Sequence, residues 1–242
     1  MHGPTADSIK VFCFIPRRHD FSEKSFHEYW RHPHGTMAKR IKSMQRYIQA
    51  HKSVDDQIAP PAPHDGAAEI WFADVDTANR LNEDPNYSDY CGLDEPKFMD
   101  LGPDTFRVLT KERELIPGSL DQKSRGVKFL HLVRTAGTAA DRMLPALENA
   151  EHLKMAKDLG VVAYSVCEAL PESYVSELPP QAEVHHWLSL DPYDAVREVW
   201  FPDAATYLAA ASTDSWRAFL AAPGVNLTRS PGFLATEEVV IW

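Results

Sequence analysis

With 242 residues, the chain is long enough for one large or two small domains, and an apolar share of 44% is enough to build a core. The 35 acidic against 25 basic residues leave a net charge of −10, which excludes nucleic acid and anionic membrane as partners because both select basic surface. Three scattered cysteines, Cys13, Cys91 and Cys167, argue against a disulfide framework; with no leader-like start and no apolar run near ~20 residues, a soluble cytoplasmic protein is expected.

In chain order, residues 9–15 (IKVFCFI) form a β-branched and aromatic run closed by Pro16, the pattern of a buried strand. Ser22 then suits a helix N-cap, with Phe21 placed to staple onto Phe26. Phe26, Tyr29, Trp30 and Met37 give that helix an apolar stripe. Pro33 lies inside the pattern and removes a backbone donor, so a kink is predicted there. Residues 44–51 (MQRYIQAH) alternate as a second strand, with Tyr47, Gln49 and His51 on one face. After a Pro-rich loop come a third strand at 67–73, a short helix at 76–82, an irregular stretch (DEPKFMDLGPD) and a fourth strand at 105–115. The order β-α-β-β-α-β is the ferredoxin-like pattern.

Residues 116–126 (IPGSLDQKSRG) read as a linker, and the series restarts with a strand at 128–133. Thr138 and Asp141 suit a capping box for the next helix. Strands follow at 161–169 and around Glu198, then a helix at 204–222 and a last strand at 233–242. The two series match each other. A shift of 118 lays 26–51 on 144–169 without a gap, placing His34 on His152. Further on, Glu198-Val199-Trp200-Phe201 repeats Glu69-Ile70-Trp71-Phe72 at a shift of 129, so 11 residues are inserted within 170–194, where VHHWLSL reads as an additional strand. Such self-similarity predicts two α+β units, 1–118 and 119–242. Each sheet has one face for its helices and one bare face, and the bare faces bury each other in an internal pseudo-dimer.

The motif F-x-x-Y-W-x-x-x-H at Phe26, Tyr29, Trp30 and His34 resembles the EthD domain. So do Y-x-Q-x-H at Tyr47, Gln49 and His51, and D-G-x-x-E-x-W-F from Asp65 to Phe72. The resemblance covers nearly all of the first half and, more weakly, the second. It implies a dimeric α+β barrel with a cavity between helices and sheet. That group includes isomerases, cyclases, dehydratases and decarboxylases without a cofactor, and haem-dependent enzymes. Fold alone does not choose among them.

His34 is the first candidate for chemistry, because a neutral imidazole suits proton transfer near pH 7. If the strand face meets the helix, His34 and His51 address one substrate as base and acid. Tyr29 joins them as a catalytic candidate that polarises a carbonyl, and Tyr47, Gln49, Trp30 and His152 are substrate-binding candidates. By the shift of 118, the second half replaces Tyr47, Gln49 and His51 with Ser165, Cys167 and Ala169, which marks it as scaffold. His32 and His34 fall on different helix faces, so no metal is expected. Trp71 and Trp200 read as core, and Glu69 and Glu198 as a buried structural pair. Nucleotide and acyl-serine motifs are missing.

The leading expectation is therefore a cofactor-independent lyase, isomerase or cyclase of the dehydratase or decarboxylase type, acting on a small oxygenated aromatic or polyketide-like substrate. The alternatives are a haem protein or haem monooxygenase of the same fold, and a non-catalytic binding or assembly protein. Pairing of two chains into a homodimer is left open.

Overall fold

The computed structural model describes residues 3–54, 62–135, 140–173 and 193–241. The expected helix cap at Thr138 and the expected strand VHHWLSL lie outside them. Eight strands run β1 Ile9–Ile15, β2 Arg46–Lys52, β3 Gly66–Phe72, β4 Phe106–Ile116, β5 Val127–Val133, β6 Ala163–Ala169, β7 Ala195–Phe201 and β8 Gly232–Ile241. All pair antiparallel and close a barrel in the order β1-β3-β2-β8-β5-β7-β6-β4. Each half thus contributes a four-strand sheet with its first and third strands central, and β2–β8 and β4–β6 are the two seams. The helices lie outside, over one apolar cluster per half, and a third cluster fills the barrel.

Several elements depart from expectation for local reasons. The stretch read as a linker contains a helix, Leu120–Arg125, started by a capping box between Ser119 and Gln122. The helix expected at 204–222 is two, Ala204–Ala211 and Asp214–Leu220, because the Thr213 side chain caps the second. That expected at 76–82 shortens to Val75–Asn79, followed by a tight turn, Leu81–Glu83. Trp30 rests directly on β3. A Cβ on Gly66 would come within 2.5 Å of its ring, so only glycine admits this packing.

The strand register corrects the sequence alignment. Tyr47 on β2 stands opposite Ile70, and Tyr164 on β6 stands opposite Val199, the counterpart of Ile70 at the shift of 129. Tyr164, not Ser165, therefore occupies the place of Tyr47. Val166 and Glu168 stand for Gln49 and His51. Ser165 and Cys167 belong to the opposite face; Ser165 faces Glu198 across the strands, and Cys167 packs in the interior cluster. A slip of one residue moves every side chain to the other face. The turn before β6 is one residue shorter, and the ungapped match could not show it.

Inside the barrel, Lys10, Glu69, Lys128 and Glu198 form a buried quartet. Lys10 pairs with Glu198 at 2.6 Å and Glu69 at 2.9 Å. Lys128 pairs with Glu198 at 3.0 Å, Glu237 at 2.5 Å and also Glu69. Lys128 repeats Lys10 at the shift of 118, and Glu198 repeats Glu69 at 129. Burial would push both ammonium groups down, but the surrounding carboxylates outweigh it and raise them. Trp71 and Trp200 are buried beside the quartet, with Lys10 and Lys128 lying over their rings. Removing one member leaves buried charge unpaired. Lys10→Met is expected to lower unfolding free energy by about 3–5 kcal/mol, read by urea unfolding. A loss below about 1 kcal/mol would show that water already compensates the carboxylates.

Candidate functional site

The site begins with the proline. The helix Glu23–Tyr29 widens into a π-helical turn at Trp30–His34, which contains Pro33, before resuming at Gly35–Ala38. Proline cannot donate to the helical ladder, and such widened turns recur at functional sites. A second wide turn, Tyr87–Cys91, leads into Gly92–Asp94 and brings Cys91 and Asp94 to His34. The sequence assigns no element to 83–93 and reads 94–104 as irregular, and it singles out none of Tyr87, Cys91 and Asp94 for the site.

His34 is buried, and its Nδ1 lies 3.2 Å from Asp94 Oδ2. Asp94 Oδ1 accepts from the Tyr29 hydroxyl at 2.8 Å and from Lys97 Nζ at 3.0 Å. Burial alone would raise the Asp94 carboxyl, but hydrogen bonds from His34, Tyr29 and Lys97 outweigh it and hold it down at about 2. An ionised carboxylate can only accept, so His34 Nδ1 donates to it, and in the neutral ring the lone pair then belongs to Nε2. Cys91 Sγ lies 3.4 Å from Nε2 but also 4.0 Å from Nδ1. A thiol in line with the Nε2 lone pair would be much farther from Nδ1. Cys91 therefore sits beside the ring, and burial pushes its thiol up, so it is not set as a nucleophile.

His34 and Cys91 wall a hollow of about 290 Å³ between the helices and the outer face of the first-half sheet. Its floor is regular. One cross-strand row holds Arg107, Cys13 and Ala68; the next holds Val11, Ile70 and Tyr47. Phe98 and Trp30 help close it. The Tyr47 hydroxyl accepts from Trp30 Nε1 at 3.1 Å and Gln49 Nε2 at 3.2 Å. With both bonds accepted, its own proton is left to donate into the hollow. Burial pushes the hydroxyl well above its ordinary range, so it stays a donor.

Of the residues singled out from sequence, His34, Tyr47 and Trp30 meet at the hollow. Tyr29 stands behind Asp94 as a positioning residue. Gln49 holds Tyr47, the Trp30 carbonyl and His51. The expected acid–base pairing of His51 with His34 is not formed. His51 packs on Trp30 with ring centroids 4.5 Å apart, away from the hollow. Its Nδ1 meets His27 Nδ1 at 2.9 Å and its Nε2 meets Gln49 Oε1 at 3.1 Å, so neither nitrogen is left for a substrate. Burial, aided by Arg31 and His27, drives it down to about 2.

His152 takes the place of His34 in the second half, and among the described residues Arg197 fills the space beside it. Arg197 occupies the position of Ala68, since His131 faces Arg197 as Cys13 faces Ala68. Its guanidinium donates to the Tyr164 hydroxyl at 2.9 Å and to the Phe219 and Leu220 carbonyls at 3.1 and 3.2 Å, and lies 3.3 Å from His152 Nε2. The Phe219 ring covers it at 4.5 Å. The second half thus keeps a histidine–tyrosine pair and plugs it with arginine.

A haem does not fit the first-half hollow as packed. Small-molecule pockets run about 300–1,000 Å³, and this one, about 290 Å³, suits one or two fused rings rather than a tetrapyrrole plane. Haemin titration is expected to produce no sharpened Soret band; a band that His34→Ala abolishes would contradict this.

A closed antiparallel barrel of eight strands with outer helices and a side cavity defines the dimeric α+β barrel class. Within it, residues 18–102 match the family model described as EthD domain. That segment contains His34, Tyr47, Cys91 and Asp94 and ends before Arg107. No curated protein matches the sequence. Among solved structures, an anthrone oxidase-like protein aligns over 99% of this chain and 96% of its own, with 6% identity and a TM-score of 0.64. Chlorite dismutase from Candidatus Nitrospira defluvii, in complex with imidazole, aligns over 98% and 93%, with 10% identity and a TM-score of 0.55. At these identities the likeness is one of fold.

Proposed function

We propose that the first-half hollow is the active site of a cofactor-independent enzyme that removes a proton beside the carbonyl of a small oxygenated aromatic or polyketide-like substrate. The observation that carries this reading is the Asp94–His34 pair, whose Nε2 lone pair shares an apolar hollow with the donating Tyr47 hydroxyl. Nε2 takes the carbon-bound proton, and the electron pair moves onto the carbonyl oxygen. Tyr47 donates to the resulting enolate, and Asp94 stabilises the imidazolium. Returning the proton to another carbon completes an isomerisation; delivering it to a departing hydroxide completes a dehydration. The apolar floor keeps water from the enolate.

The chain is read here as two fused ferredoxin-like units, 1–118 and 119–242, with the chemistry in the first and scaffolding in the second. A barrel serving assembly alone would need no hollow beside His34. The overlay with the anthrone oxidase-like protein favours a second outcome for the same enolate. Its carbon attacks dioxygen, forming a C–O bond, and the peroxide anion takes the proton from His34 to give a hydroperoxide. Incubation in deuterium oxide with muconolactones, dienols and β-keto aromatics tests the shared first step. Deuterium is expected at the carbon next to the carbonyl, and oxygen consumption in the same tubes separates the two outcomes. A panel in which no member exchanges or consumes oxygen counts against both.

A further inference from the structure

We infer that Arg107 anchors a carboxylate of the ligand at the mouth of the hollow, so that the substrate is an aromatic acid entering with its reactive carbon toward His34 and Tyr47. This rests on the reading of the hollow as a ligand site. Arg107 is the one cation in the hollow's wall among the described residues. It lies on β4 with its side chain toward the helices, as its place in the row with Cys13 and Ala68 requires. Its Nη2 donates to Asn79 Oδ1 at 2.7 Å. Its buried Nε has no partner, and no carboxylate of the described residues lies within ion-pair distance. That is unusual in a chain carrying 35 acidic residues. Glu95, the one carboxylate in the same wall, accepts the Tyr87 hydroxyl at 3.0 Å. Burial without an acid partner lowers the Arg107 guanidinium, a cost that a bound anion would remove. A guanidinium offers two parallel donors to a carboxylate, a match that an ammonium lacks.

The position also fixes orientation. Asn79 and Asn82 beside Arg107 are exposed, whereas His34, Tyr47 and Cys91 are buried, so Arg107 marks the open end. From β4 to β2 the floor spans three inter-strand steps of about 4.8 Å each. A fused aromatic acid bridges that width, its charge at the solvent side and its far ring over Val11 and Ile70.

The test uses 2-naphthoate and its neutral isostere 2-naphthamide, titrated calorimetrically into the full-length protein. Naphthoate is expected to bind at least about tenfold tighter. Arg107→Gln should erase that preference by weakening naphthoate alone, with naphthamide affinity held within about twofold as the folding control. Arg107→Lys should keep part of it. Equal affinities in the unaltered protein, a preference that survives Arg107→Gln, or no binding of either compound overturns the anchor. Because the readout is binding, the anchor can fail while His34-dependent exchange persists, and the reverse holds as well.

Discussion

Lowering the pH from about 6.5 to 4.5 is expected to remove about 4 kcal/mol of stability per pH unit. Four imidazoles account for it. Burial drives His51 to about 2, His64 and His131 to about 3, and His152 to about 4. Arg197 adds to the effect at His131 and His152. In the unfolded chain each takes up a proton near pH 6.5; in the fold each resists it. Their contribution is therefore complete above about pH 6.5 and is lost as the pH falls, at about 1.4 kcal/mol per unit for each. Glu69 works in the opposite sense, because burial raises it to about 7 against the pull of Lys10 and Lys128, and the folded state then holds a proton that the unfolded state releases. It offsets about one histidine, leaving a net of three. Against a typical margin of about 5–15 kcal/mol, the loss of about 8 kcal/mol by pH 4.5 unfolds a protein in the lower half of that range. Urea midpoints at about pH 7, 6 and 5 measure it. A flat profile would mean that these imidazoles reach water.

Placing arginine at position 68 is expected to abolish ligand binding while leaving the barrel folded. Ala68 sits mid-floor in the hollow, and its counterpart Arg197 shows what an arginine does there. Arg197 reaches the tyrosine hydroxyl and the imidazole that would otherwise face a ligand. In Ala68→Arg the new guanidinium meets Tyr47 and His34 in the same way. Should it not be tolerated, Ala68→Met is a smaller plug, expected to weaken naphthoate at least about tenfold. The converse variant, Arg197→Ala, opens a second hollow between His152 and Tyr164, with a stability loss of about 2–5 kcal/mol from the cavity. Circular dichroism and naphthoate titration read all three. A folded Ala68→Arg protein that binds naphthoate as before would place the ligand elsewhere, most plainly at the barrel mouth above Lys10 and Glu69.

Much of the strand pattern was legible because its signals are local. IKVFCFI and the repeated Glu-[Ile/Val]-Trp-Phe are buried on both faces, as near-continuous apolar runs suggest. The break in regular α-helix at Pro33, which proves to be a π-helical turn, and the strand face of Tyr47, Gln49 and His51 were legible for the same reason. The site was legible only in part. His34 stood out by its position after the kink, but its partner Asp94 is 60 residues away in a stretch with no regular period. Its wide turn gives no recurrent spacing to detect. His51 paired with His34 in the sequence reading, as acid to its base, because a strand face does not reveal depth; the Trp30 ring, seated on Gly66, decides which of its members meets the hollow. The fate of the second half was obscured by the one-residue slip before β6. The signal was present in Arg197, a charged residue at the centre of an apolar strand, where only a paired or plugging role is tolerated.

Proton exchange at carbon, compared between the unaltered protein and His34→Ala, tests the central claim most directly. With an aromatic β-keto acid that exchanges in the unaltered protein, the rate of deuterium uptake next to the carbonyl should fall by about 10²–10⁴-fold in the variant, while naphthoate still binds. Exchange at the same rate in a folded His34→Ala protein would show that this imidazole is not the base.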